Sequence, residues 1–212
     1  MLLAGVILAV NVALEFLLNG DELTFQACKI GNTKQCLKTI HYLKASCDKG
    51  GSQSCGTLGY IYENGLGVSV NIKLALKFYE KSCDLRNALG CVNLGAIYAS
   101  IENYDEANGY FNRACEMRNA DGCYNLGISY LYGYGVMQSE ILSNMRFNDA
   151  LELYMELCKK KNASACKSVA NIYSDGIITD IDNEKSQYFL QKACEIDSAF
   201  YHEFSTTPQE TN

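Results

Sequence analysis

Residues 83–98 read CDLRNALGCVNLGAIY, and residues 115–130 read CEMRNADGCYNLGISY. The same frame returns at 47–62 as CDKGGSQSCGTLGYIY and at 158–173 as CKKKNASACKSVANIY. Each copy opens on Cys-x7-Cys, and Cys28 and Cys36 add a fifth pair of that spacing. Ten of the eleven cysteines are therefore ordered as Cys28/Cys36, Cys47/Cys55, Cys83/Cys91, Cys115/Cys123 and Cys158/Cys166. The first cysteines of the last four pairs, followed by Cys194, advance by 36, 32, 43 and 36 residues. A repeat of that period is the signature of a solenoid or array.

The apolar pattern around each pair gives the unit. After the second cysteine come Leu58, Gly59 and Tyr62, then Leu94, Gly95 and Tyr98, then Leu126, Gly127 and Tyr130, and more weakly Val169, Ala170 and Tyr173. Offsets of 3, 4 and 7 put these side chains on one helical face, and the small residue admits a second helix closely. Eight residues before each first cysteine stands a small residue: Ala75, Ala107, Ala150 or Ser186. Four and five before it stand Phe78/Tyr79, Tyr110/Phe111, Leu153/Tyr154 and Phe189/Leu190, a second helical face. Turn signals such as Asn64-Gly65-Leu66-Gly67 and Gly133-Tyr134-Gly135 separate the two. Each unit is thus helix A, a loop and helix B in an antiparallel hairpin that needs its neighbours to complete a core.

Small-x-x-Leu-Gly-x-x-Tyr followed by Ala and an aromatic residue resembles the tetratricopeptide-like pattern in its Sel-one-like form. With Cys-x7-Cys across each B-to-A turn, it looks like the Helicobacter cysteine-rich protein family over residues 28–194. The resemblance implies an all-α fold, a right-handed α/α solenoid superhelix of disulfide-stapled hairpins. Leu58 to Ala75 spans 17 residues, Leu94 to Ala107 only 13, and Leu126 to Ala150 as many as 24. The extra residues of the unit from Leu126 to Ala150 are expected as a loop, Val136–Asn148, between helix A and helix B. The expected partition is 1–20 signal peptide or hydrophobic segment, 21–47 helical cap, 48–197 four repeats, and 198–212 C-terminal cap and tail.

Seven turn-rich residues between paired cysteines are enough to reverse the chain and bring the Cα atoms within disulfide range. Zinc ligation and reduced core thiols are the competing readings. Zinc favours Cys-x2-4-Cys with histidine, and the chain has no such spacing and two histidines, His41 and His202. Disulfides imply an oxidising compartment, periplasmic or secreted. Met1–Leu18 is nearly all apolar, as a signal region is, but lacks a basic start. No other stretch is long and apolar enough to span a membrane.

The formal charge of −6 and the absence of a basic stripe argue against nucleic acid. The resembled family includes members described as β-lactamases or penicillin-binding proteins. Ser-x-x-Lys occurs at Ser46–Lys49 and Ser164–Lys167, about the chance expectation, while Ser-Asp-Asn and Lys-Thr-Gly are missing. No catalytic residue, metal ligand or cofactor is assigned on this basis. Cys194 ends the last helix B, with His202 where a partner cysteine would fall.

On the tetratricopeptide pattern, helix A lines the concave surface. Its ligand-facing positions include Tyr60, Val92, Ala96, Tyr124, Ile128 and Leu131, with Asp121, Asn171 and other polar residues around them. An apolar stripe with a polar rim fits a peptide or protein partner. A non-enzymatic interaction scaffold is therefore the leading expectation, and β-lactam binding or weak hydrolysis the alternative. The sequence leaves the oligomeric state open.

Overall fold

The computed structural model describes Cys28 and residues 33–197. The apolar stretch at 1–20 and the segment 198–212, with His202, lie outside the described residues. Nine helices follow one another among the described residues: α1 (Thr33–Asp48), α2 (Ser52–Asn64), α3 (Ile72–Asp84), α4 (Ala88–Ser100), α5 (Tyr104–Glu116), α6 (Ala120–Tyr132), α7 (Glu140–Lys159), α8 (Ala163–Asp175) and α9 (Asn183–Ile196). Each packs on the next, and α2, α4 and α6 also touch in series. The result is an α/α solenoid of four hairpins, α2/α3, α4/α5, α6/α7 and α8/α9, with α1 against the first. No described helix is long and apolar enough to cross a membrane.

The B-to-A turns are built alike. Arg86, Arg118 and Lys161 take left-handed φ values of 63°, 60° and 65°. The asparagine after each caps the coming helix A. Asn87 Oδ1 accepts from the Leu89 amide at 3.0 Å, Asn119 Oδ1 from Gly122 at 2.9 Å, and Asn162 Oδ1 from Ala165 at 2.8 Å. The backbone N–H of each asparagine donates to the Ser82, Ala114 or Leu157 carbonyl. Asn is suited to this place because its short side chain satisfies helix-start donors. In the first turn Gly50 and Gly51 replace the basic residue and the asparagine. This geometry holds the disulfides Cys47–Cys55, Cys83–Cys91, Cys115–Cys123 and Cys158–Cys166, and Cys28–Cys36 is also bridged, all with Cα separations of 4.5–4.8 Å. Each closes a short loop, worth roughly 2–3 kcal/mol by chain entropy. Cys194 is a buried thiol at the end of α9.

Within a hairpin, one glycine receives one ring. A Cβ on Gly59 would lie 2.5 Å from the Tyr79 ring, one on Gly95 2.6 Å from Phe111, and one on Gly127 2.5 Å from Phe147. Beside these contacts Tyr62 stacks on Phe78, Tyr98 on Tyr110 and Tyr173 on Phe189, with centroids 5.7, 5.6 and 6.1 Å apart. In the last hairpin Ala170 and Leu190 hold the register of glycine and aromatic, both buried.

The structure corrects the expected Val136–Asn148 loop. The chain is helical from Glu140, and α7 has 20 residues where α3, α5 and α6 have 13. Its start is in normal register. Ser139 N–H bonds the Tyr130 carbonyl as Asn71 bonds Tyr62, Asn103 bonds Tyr98 and Asp182 bonds Tyr173. Ser143 and Phe147, both fully buried, take the places of Ala75 and Tyr79. The seven added residues lie after them, toward Cys158. Seven residues are nearly two helical turns, so Ala150 and Tyr154 return to the buried face and repeat the same pattern. The insertion therefore lengthens helix B by about 10 Å and leaves the loop alone.

Candidate functional site

The lengthened α7 adds about 10 Å of helix before the chain turns into α8, which makes a step between α6 and α8. A small cleft, open to solvent on one side, lies at this step. It is lined by Tyr124 from α6, Tyr154 from α7, and Ser168, Asn171, Ile172 and Asp175 from α8. The Tyr124 ring is fixed by a tilted contact with Phe147, centroids 5.4 Å apart. Tyr154 is buried, and its hydroxyl donates to Asp121 Oδ1. Asp175, the last residue of α8, accepts at 3.0 Å from the Ile177 N–H.

Burial sets the electrostatics. It pushes the Asp121 carboxyl up from 3.8, partly offset by the hydrogen bond from Tyr154. The Tyr154 hydroxyl is raised well above 10.0 by burial and then by the Asp121 charge. Tyr124 is pushed up to about 12, by burial first and then by the charge of Asp175. Burial also raises Asp175, against the hydrogen bond from Ile177. By contrast, lysines or arginines face Asp48, Asp84, Asp149, Glu156 and Asp182 at 2.7–3.2 Å.

The six helix-A positions expected to meet a ligand divide in this setting. Tyr124 lines the cleft. Ile128 and Leu131 continue along α6, and Ala96 lies on α4, all half-buried. Tyr60 packs partly against the first two hairpins, and burial, then the Glu63 charge, raises its hydroxyl. Val92 is only 4% exposed, in a cluster with Cys83, Cys91 and Ala114, so it serves packing. Tyr154, Ser168, Ile172 and Asp175 were not among the expected ligand residues. The signal for them is the 43-residue step from Cys115 to Cys158, whose excess over 36 is two helical turns.

Ser46 and Lys49 border a shallow depression with Tyr42, Ala45 and Gly51, and Ser46 Oγ accepts from Ser54 Oγ at 2.8 Å. Ser164 and Lys167 lie half-buried on α8. Among the described residues, Cys115, Cys123 and Asp149 group their ligand atoms within 4.8 Å, but the two sulfurs are joined to each other.

The Sel1 repeat family model matches residues 54–87, 88–119, 120–144 and 163–198. A protective antigen of uropathogenic Escherichia coli with an SLR fold superposes with a TM-score of 0.56 at 21% identity, over 90% of this chain and 42% of that one. A Sel1 repeat protein from Oxalobacter formigenes gives 0.55 at 20% identity, over 91% and 83%. Cytochrome c oxidase assembly factor 7 of Xenopus tropicalis is 36% identical over 63 residues, 29% of this chain and 27% of that protein. The chain thus spans about a quarter of the curated relative it matches. The two structural likenesses concern the fold alone.

Proposed function

The chain belongs to the Sel1 repeat family, and we propose that it is a non-enzymatic interaction module binding a peptide or protein along its helix-A face. The Sel1 fold is typical of protein–protein interaction scaffolds. The observation that carries the reading here is the cleft at the α6/α8 step, where Tyr124 meets the side chains of two other helices. An aromatic ring in a concave, largely apolar recess is the kind of group on which binding energy concentrates. Ala96, Ile128 and Leu131 extend the surface on α4 and α6, and residues 48–197 make up the binding unit, with 21–47 as its cap. Five disulfides support an oxidising, non-cytoplasmic setting, and the proposal extends this to the periplasm or to secretion.

The test uses display-selected peptides on the intact, oxidised protein. Tyr124→Ala and Asn171→Ala should each weaken them, the former by about 1–3 kcal/mol. Tyr130→Ala, which loses packing against Ala107, Phe111 and Leu126, should mainly lower the unfolding midpoint. Peptides indifferent to both cleft variants would refute the proposed face. The alternative, β-lactam binding or hydrolysis, is checked with a chromogenic β-lactam; turnover above buffer would overturn the non-enzymatic reading.

A further inference from the structure

We infer that the α6–α7–α8 cleft receives one cationic side chain, a lysine or arginine of the bound polypeptide, with Asp175 as counter-charge and Tyr124 as its wall. The inference rests on the helix-A face being the binding face. Tyr124, Tyr154 and Ile172 supply apolar walls, while Asp175, Asn171 and Ser168 supply oxygens. That pairing suits a side chain with an aliphatic stem and a charged tip, the build of lysine and arginine. A ring face also attracts such a tip directly.

Three features favour a cation over a neutral or acidic group. Asp175 closes α8, so its carboxylate stands at the negative end of the helix dipole. The second acidic group, Asp121, lies behind the Tyr154 hydroxyl and adds negative potential at the same step. Lys185, which follows on α9, is engaged with Asp182 at 2.9 Å and lies 5.0 Å from the Tyr173 ring. Asp175 stays exposed at the cleft mouth; the partial desolvation there disfavours its charged form, and an arriving cation offsets that. An acidic side chain meets repulsion from Asp175, and a long-range bias toward basic partners comes from the net charge of −6.

The experiment is an NMR titration of the full, oxidised chain with four probes: the N-acetyl amides of lysine, arginine, norleucine and glutamine. The first two should shift amides of Tyr124, Asn171, Ile172 and Asp175, with affinities about fivefold above norleucine at low salt. Asp175→Asn keeps an oxygen for the Ile177 amide and should abolish that preference without moving the unfolding midpoint. Equal affinity for norleucine, or an unchanged preference in Asp175→Asn, overturns the cation assignment. The interaction proposal would then still stand, since it falls on the separate result that selected peptides ignore Tyr124→Ala and Asn171→Ala. Absence of cleft shifts with every probe overturns the receptor itself.

Discussion

Gly127 and Phe147 show how far one atom decides this packing. A methyl group at Gly127 would lie 2.5 Å from the Phe147 ring, so Gly127→Ala should cost about 1–3 kcal/mol through overpacking. The Ala170 and Leu190 register of the last hairpin indicates the compensation. Combining Gly127→Ala with Phe147→Leu should cost less than the sum of the single changes in urea unfolding, and strict additivity would refute the ring-in-notch account. At Asp121 the prediction is electrostatic. Its carboxyl is raised above 3.8 by burial, so from that pH up to its folded value the native state holds a proton the unfolded chain has released. Stability therefore falls as pH rises through this window, and at neutral pH the buried charge is a cost. Asp121→Asn keeps an oxygen for the Tyr154 hydroxyl. Its unfolding midpoint at pH 7 should equal or exceed wild type, with a flatter acid limb; a clear fall at pH 7 would contradict this.

At the scale of the helix, the sequence is read well wherever its periodicity is unambiguous. Cys-x7-Cys, Leu-Gly-x-x-Tyr and the backward aromatic pair locate the hairpins and staples, because each residue type there has one packing role. The failure at α7 has a physical cause. Counting backward from Cys158 finds Ala150 and Tyr154, which fit the pattern, and so hides Ser143 and Phe147, which fit it as well. Two turns of helix reproduce the same face, so a pattern of faces cannot say which copy meets Gly127. The Ser139 cap is the local clue: its oxygen accepts from Leu142 and starts the helix where a loop was expected. Most of the cleft was hidden for the same reason. Tyr124 was legible from its place on helix A, but Tyr154, Ser168, Ile172 and Asp175 converge only once α8 is displaced. Val92 departs in the other direction, since the periodicity of helix A does not reveal that it packs in a cluster with Ala114 and Cys83 from the helices on either side.

The whole molecule is a row of similar hairpins interrupted by one step. Contacts run between neighbours, so the disulfides reinforce adjacent joints and the two-turn insertion shifts everything after α7 as a block. The insertion, more than any single side chain, makes one part of the helix-A face unlike the rest. It can be removed in register. Deleting residues 148–154 places Phe147 four residues before Cys158 and Ser143 eight before it, the spacing of Tyr79 and Ala75 before Cys83. The shortened chain should form its Cys158–Cys166 bridge and unfold cooperatively, with Tyr154 gone and the cleft closed. The decisive measurement is its affinity for peptides selected on the full chain. A loss of about tenfold or more in a folded, fully bridged protein is expected. Undiminished affinity in that protein would contradict the claim that the step in the solenoid creates the binding site.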